Sequence, residues 1–443
     1  MAFAVILLLV QLCQAASLSH IEPSADADDN PDILVISVAS ETWAALSAEA
    51  LPALLEGWTV VPRFQRSPVT NKHPQLRQYL EVHSSGRRQQ LAALAIELAN
   101  QEWIQQLFYA PKPVPPPIDI PPETPNLELF QNHLRGADGL GFEISDAWPI
   151  DLSYVRVANI EYGWDPSHED LEPAPDEVAW GWNSEGYQFH GNAVLGQLIA
   201  PENGYGVRGM IPGLDVLMLS PFDDEQNYNV AAAIIAAVEL LVPGDILLIE
   251  QQGAERGEFC PVEVSPDVFD AIAVAVDSGI TVVEPAGNGA VDLDDPMWEG
   301  WFDPAIQDSG AIMVGGGAPP GVDQAPRSWF FGGSSYGSRV DLQGWYTSIV
   351  TTGGTELSDA FFPESDPRQA YTANFGGTSG ASPMIVAAAV IANAVSLKHH
   401  QRPWEPHTLR ELLKQTGDPQ PDDDPKHIGP QPNIRRLLWT WGH

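Results

Sequence analysis

Apolar residues fall along this chain in a pattern that changes rhythm every ten to thirty positions. Short apolar, largely β-branched runs of buried-strand type recur at residues 155–161, 215–219, 245–249, 280–284 and 311–314, with helical patterns at 228–241 and 268–277 between them. Strands alternating with helices predict an α/β unit whose largely parallel sheet carries helices on both faces. Residues 385–392 are apolar all round, which predicts a buried helix; another helix is expected at 406–413, with residues 428–432 closing the unit. In such sheets functional groups collect at the carboxyl ends of the strands. Glu161 and Asn288 both fall there.

Ahead of this unit the pattern describes something smaller. Strands at 32–38, 58–61 and 103–109 with helices at 41–55 and 90–101 predict a small α/β unit over residues 31–110. Residues 1–13 are almost wholly apolar and are followed by the small residues Ala15, Ala16 and Ser17, so residues 1–16 read as an export signal, although no lysine or arginine precedes the apolar run. The run is too short to span a membrane, and no other apolar stretch reaches the roughly 20 residues that spanning needs. Residues 17–30 read as an acidic spacer, 111–125 as an extended proline-rich linker open to cleavage, and 126–443 as the main unit.

The chemistry concentrates around Asn374-Phe375-Gly376-Gly377-Thr378-Ser379-Gly380-Ala381-Ser382-Pro383, where a serine stands between glycines just ahead of the apolar helix. A nucleophilic hydroxyl needs this exposure beside a helix N-terminus, whose free N–H groups meet developing negative charge. Pro383 is expected early enough in the helix for its missing N–H to cost little. Serine also needs a base, an orienting acid and oxyanion donors. His190, followed at once by Gly191 and a helical pattern, suits the base; Glu161 suits the acid; the amide of Asn288, in Ala286-Gly287-Asn288-Gly289, suits the oxyanion.

In the order acid, histidine, asparagine, serine, these stretches resemble the subtilisin-like serine peptidases over roughly residues 126–436. The family motif Gly-Thr-Ser-x-Ala-Ser-Pro matches from Gly377 to Pro383 and implies that Ser379 is the nucleophile. The motif His-Gly-Thr-His-Val matches at His190, Gly191 and Val194, with Asn192 and Ala193 replacing its threonine and second histidine. Ala-Gly-Asn carries the oxyanion role onto Asn288, and residues 335–342 look like the family's segment upstream of the serine. An ungapped match of residues 155–171 puts Glu161 where the family has aspartate, while a shifted match puts Asn159 there. The resemblance further implies a three-layer subtilisin-like fold, an inhibitory propeptide over 31–110, no cofactor for the chemistry, and a structural calcium held by Asp170 and the loop of Asn203.

Composition narrows the partners. With 59 acidic against 21 basic residues the net charge is −38, which disfavours nucleic acid and anionic membranes. Cys13 and Cys260 are the only cysteines, so there is no disulfide framework, and Cys260 reads as a buried thiol. The expectation is a secreted serine endopeptidase made as a precursor, acting on proteins or peptides and held in check by its own propeptide. The alternative is a non-catalytic subtilisin-like binding protein in which Glu161 marks decay of the triad. An esterase is disfavoured, because Gly-Thr-Ser-Gly-Ala lacks Gly-x-Ser-x-Gly spacing and the histidine precedes the serine.

Overall fold

The computed structural model describes residues 20–21, 29–39, 53–64, 72, 74–111, 123–135, 140–147, 150–171, 174–175, 177–354 and 366–441. The expected signal at 1–16, most of the spacer at 17–30, most of the helix at 41–55 and most of the linker at 111–125 lie outside the described residues. The chain divides into two compact units, Met1–Pro115 and Pro116–His443.

In the first unit β1 (His20–Ile21), β2 (Asp29–Val38), β3 (Thr59–Pro62), β4 (Tyr79–His83) and β5 (Ile104–Pro111) form a five-stranded sheet in the order β1-β5-β2-β4-β3. Pairing is antiparallel except between β1 and β5. Leu34, Ile36 and Val38 alternate along β2 and bury one face against Leu91, Leu94 and Leu98 of α1 (Arg88–Ala99). The sequence reading lacked β4, whose Tyr-Leu-Glu-Val-His alternation buries Leu80 and Val82.

The second unit is built on six parallel strands: β6 (Val157–Ile160), β7 (Val216–Leu219), β8 (Ile246–Ile249), β11 (Thr281–Pro285), β12 (Ile312–Gly317) and β13 (Leu342–Trp345). Their order is β13-β12-β11-β8-β6-β7, parallel at every pairing. One face packs on α2 (Gln188–Ile199) and α5 (Thr378–His400), with Val157, Leu248 and Val283 meeting Val194, Leu198, Ile385 and Ala388. The opposite face packs on α3 (Val230–Leu240) and α4 (Pro266–Asp277), through Ala158, Ile160, Leu247, Ile249 and Val282. Three layers result, as the run of strands and helices predicts.

Among the described residues α5 is the one helix long and apolar enough to cross a membrane, and its apolar stretch is wholly buried within the unit. A hairpin, β9 (Gln252–Glu255) and β10 (Glu258–Pro261), follows β8 and turns at Arg256-Gly257, both at positive φ. A second antiparallel pair, β14 (Ile349–Thr352) and β15 (Tyr371–Phe375), delivers the chain to the start of α5. Residues 428–432 do not end the unit: after α6 (Pro406–Thr416) the chain forms α7 (Ile434–Trp441).

Candidate active site

Glu161 follows β6 directly and is fully buried. Its Oε2 accepts from His190 Nδ1 at 2.8 Å, and its Oε1 accepts from the Tyr162 N–H at 2.8 Å. The longer glutamate fits because Gly191 follows the histidine: a Cβ at Gly191 would come within 2.8 Å of Glu161 Cγ and 2.0 Å of the Gly163 carbonyl. Asn159, the other acid-position residue, lies two places back within β6 as a buried amide without a hydrogen-bond partner among the described residues. Glu161, not Asn159, meets His190.

His190 sits in the first turn of α2 with a quarter of its side chain exposed. Burial pulls its pKa down, but the charge and hydrogen bond of Glu161, with the charge of Glu250, outweigh burial and raise it to about 9. With Nδ1 engaged by Glu161, Nε2 is the nitrogen left to serve a hydroxyl. The ring packs edge-on against Phe375, centroids 5.6 Å apart, at the end of β15. α2 is tied to α5 where Gln197 donates to the Gly380 carbonyl at 2.8 Å.

Ser379 is the second residue of α5, after Gly377 at φ 78°. The positive φ favours glycine at 377, and Asn288 Oδ1, 3.1 Å from where a Cβ would stand, leaves little room for a larger residue. Asn288 lies beyond β11, and its Oδ1 accepts from the Thr378 N–H at 2.9 Å and Thr378 Oγ1 at 3.1 Å. That leaves its Nδ2 as the donor end of the amide, next to the helix N-terminus that carries Ser379. The Asn288 N–H is itself held by Gln252 Oε1 at 2.9 Å, so the β9 hairpin buttresses the loop. Pro383 stands inside the helix, contrary to the expected early position, and removes the N–H that would bond to the Ser379 carbonyl.

Sequence reasoning missed Gln252, Phe375 and Glu250. The signal for Glu250 was present: like Glu161, it is a carboxylate that ends a run of buried strand residues. Glu250 lies beside Ser379, His190 and Glu161, and burial holds its pKa well above the usual carboxylate range. Aromatic side chains flank the group: Tyr162 packs on Tyr187 and Phe222 with centroids 5.0 and 5.7 Å apart, and Tyr187 and Phe189 are exposed.

Asp170 and Asn203 come together away from this group. Asn203 Nδ2 donates to Asp170 Oδ1 at 2.8 Å, while the Val207 N–H and Tyr371 hydroxyl donate to Oδ2 at 2.7 and 3.0 Å. Burial raises the Asp170 carboxyl to about 7. A calcium ion needs oxygens offering lone pairs, whereas these partners offer hydrogens to Asp170. The residues present do not fit the expected calcium.

Fervidolysin of Fervidobacterium pennivorans is 25% identical to this chain over 319 residues, covering 65% of this chain and 41% of fervidolysin. This chain therefore spans less than half of that relative's length. An intracellular serine protease of Paenibacillus polymyxa is 29% identical over 280 residues, covering 59% of this chain and 74% of that protein. The crystal structure of fervidolysin, a keratinolytic enzyme related to subtilisin, matches with a TM-score of 0.50 at 18% identity, over 96% of this chain and 64% of that one. Proteases from Pseudoalteromonas arctica match with a TM-score of 0.50 at 20% identity, over 72% of this chain and 99% of theirs. These structural likenesses speak for the fold. The subtilase family model matches residues 69–429, well over half of the sequence, and the chain belongs to that family.

Proposed function

We propose that this chain is a serine endopeptidase in which Ser379, His190, Glu161 and Asn288 carry the reaction. The Ser379 hydroxyl attacks the peptide carbonyl as its proton passes to His190 Nε2. Glu161 holds the imidazole by Nδ1 and stabilises the imidazolium, and Asn288 Nδ2 with the Ser379 N–H receives the oxyanion. The imidazolium then protonates the leaving amine. Water, deprotonated by His190, hydrolyses the acyl-enzyme and regenerates the hydroxyl. The observation that carries this reading is the 2.8 Å contact of His190 Nδ1 with Glu161 Oε2, which fixes the tautomer the reaction needs.

The reading extends to the rest of the chain as a secreted precursor: residues 1–16 as export signal, 31–110 as propeptide and inhibitor, 111–125 as the segment cut on maturation. Its supports are the position of a small α/β unit ahead of the main one and the proline-rich composition between them. Substrates are proteins or peptides. A fluorophosphonate should label wild type at Ser379 and leave Ser379→Ala unlabelled. No labelling of wild type at any pH would favour a non-catalytic binding protein instead.

A further inference from the structure

The reaction above leaves Glu250 without a part. Its N–H donates to the Ile160 carbonyl at 3.0 Å, and Ile249 pairs with Ile160, so Glu250 and Glu161 finish neighbouring parallel strands in register. Side chains alternate along a strand. Val157 and Leu248 face α2 and α5, so Glu161 and Glu250, an even number of residues further on, emerge on that same face. This is the face that carries His190 and Ser379.

Glu250 is 3% exposed, and neither of its carboxylate oxygens makes a hydrogen bond of good geometry among the described residues, although the Ser379 hydroxyl stands close enough to favour its ionised form. A buried, poorly bonded carboxyl weakens a fold, so its presence asks for a reason other than stability. The groups that act on it are His190 from α2, Glu161 from the end of β6 and the Ser379 hydroxyl from α5. The glutamate on the next strand, Glu284 of β11, instead lies 3.9 Å from Arg339. Among the described residues, His190 is the positive group that acts on Glu250.

Building on the serine-peptidase reading, we propose that Glu250 is a positioning residue of the catalytic group, a second carboxylate that acts through His190 to set the pH at which Ser379 becomes reactive. Burial and the charge of Glu161 delay ionisation of Glu250, while the imidazolium of His190 favours it. Once ionised, Glu250 adds to Glu161 in holding the proton on His190. The base is therefore freed at higher pH than with one carboxylate. The same charge favours the imidazolium that forms when Ser379 attacks.

The test is the rate of fluorophosphonate labelling at Ser379 in the full chain, measured from about pH 5 to about pH 10, for wild type and Glu250→Gln. Removing the charge should move the midpoint of the acid limb down by about one to three pH units. Below both midpoints the variant should then label at least about tenfold faster than wild type. Glu250→Met should give the same shift without leaving an amide to satisfy. Neither variant should melt below wild type, since a poorly bonded buried carboxyl has been removed. A lowered melting temperature with an unmoved midpoint would make Glu250 merely structural. Labelling of wild type with an unmoved midpoint in both variants overturns this proposal alone. A wild-type chain that never labels overturns the serine-peptidase reading, and this proposal with it.

Discussion

Asn288 anchors its neighbours at three points, and each has a consequence for the chemistry. Its N–H is fixed by Gln252, and its Oδ1 is fixed by the Thr378 N–H and hydroxyl. The amide cannot rotate without losing these bonds, so Nδ2 keeps one orientation near Gly377 and the start of α5, as the proposed oxyanion role needs. Donors held in this way act chiefly on charge that develops in the transition state. Asn288→Ala should lower turnover by about 10²–10³-fold, with the Michaelis constant little changed. A loss confined to the Michaelis constant in steady-state peptide hydrolysis would make Asn288 a binding or turn residue. Ser379 and His190 were legible as motifs, and Glu161 as a carboxylate ending a strand; the structure brings His190 and Glu161 into contact. What makes Glu161 workable was not legible, because the bare Cα of Gly191 under its Cγ is a contact across 30 residues of chain. Glu250 was legible as a carboxylate ending a strand run but not as a buried neighbour of His190, because that burial arises only in the fold.

At the scale of elements, the loop after β6 and the loop after α2 are joined through Asp170, and β15 reaches them through Tyr371. Burial first, and then the charge of Glu169, raise Asp170, while its bonds to Asn203, Val207 and Tyr371 pull it back; the result is a rise from 3.8 to about 7. A folded-state value above the unfolded one means that the protonated form favours the fold. This contribution is present in full below 3.8 and is lost as pH rises through about 7. Denaturant midpoints should therefore fall between about pH 4 and about pH 7, and Asp170→Asn should flatten that slope. Calcium should leave the midpoints unchanged; a rise on adding calcium would mean that the loops rearrange to present carbonyls to the ion. The parallel strands were legible because sheets buried on both faces are written as continuous apolar runs. β13 was not, since Leu342-Gln343-Gly344-Trp345 carries neither run nor alternation. Its polar residue is satisfied only in the fold, where Gln343 Nε2 donates to the Gly429 carbonyl at 2.6 Å, and Gly344 lets the backbone of Ala381 in α5 approach.

For the whole molecule, the division at Pro115 and Pro116 sets a five-stranded unit with its own core apart from the six-stranded one. The small unit buries Leu34, Ile36, Leu91, Leu98 and Leu107 completely, which gives it an independent apolar centre. Residues 111–125 contain a proline at about every second position, which is the composition on which the proposed processing segment rests. Cleavage there would release one folded unit from another without opening either core. If the main unit performs that cleavage, the processing depends on Ser379. The full chain carrying Ser379→Ala, expressed in a host lacking its own secreted proteases, should then remain in one piece. Wild type should yield a fragment whose N-terminal sequence begins within or just after residues 111–125. Adding the purified wild-type fragment to the Ser379→Ala chain distinguishes the routes. Cutting at the same bond would show that one molecule can process another, whereas a Ser379→Ala chain that resists it would confine the reaction to a single molecule. Trimming of Ser379→Ala at the wild-type rate, with no wild type present, would assign the cut to a different protease and leave residues 31–110 as an accessory unit.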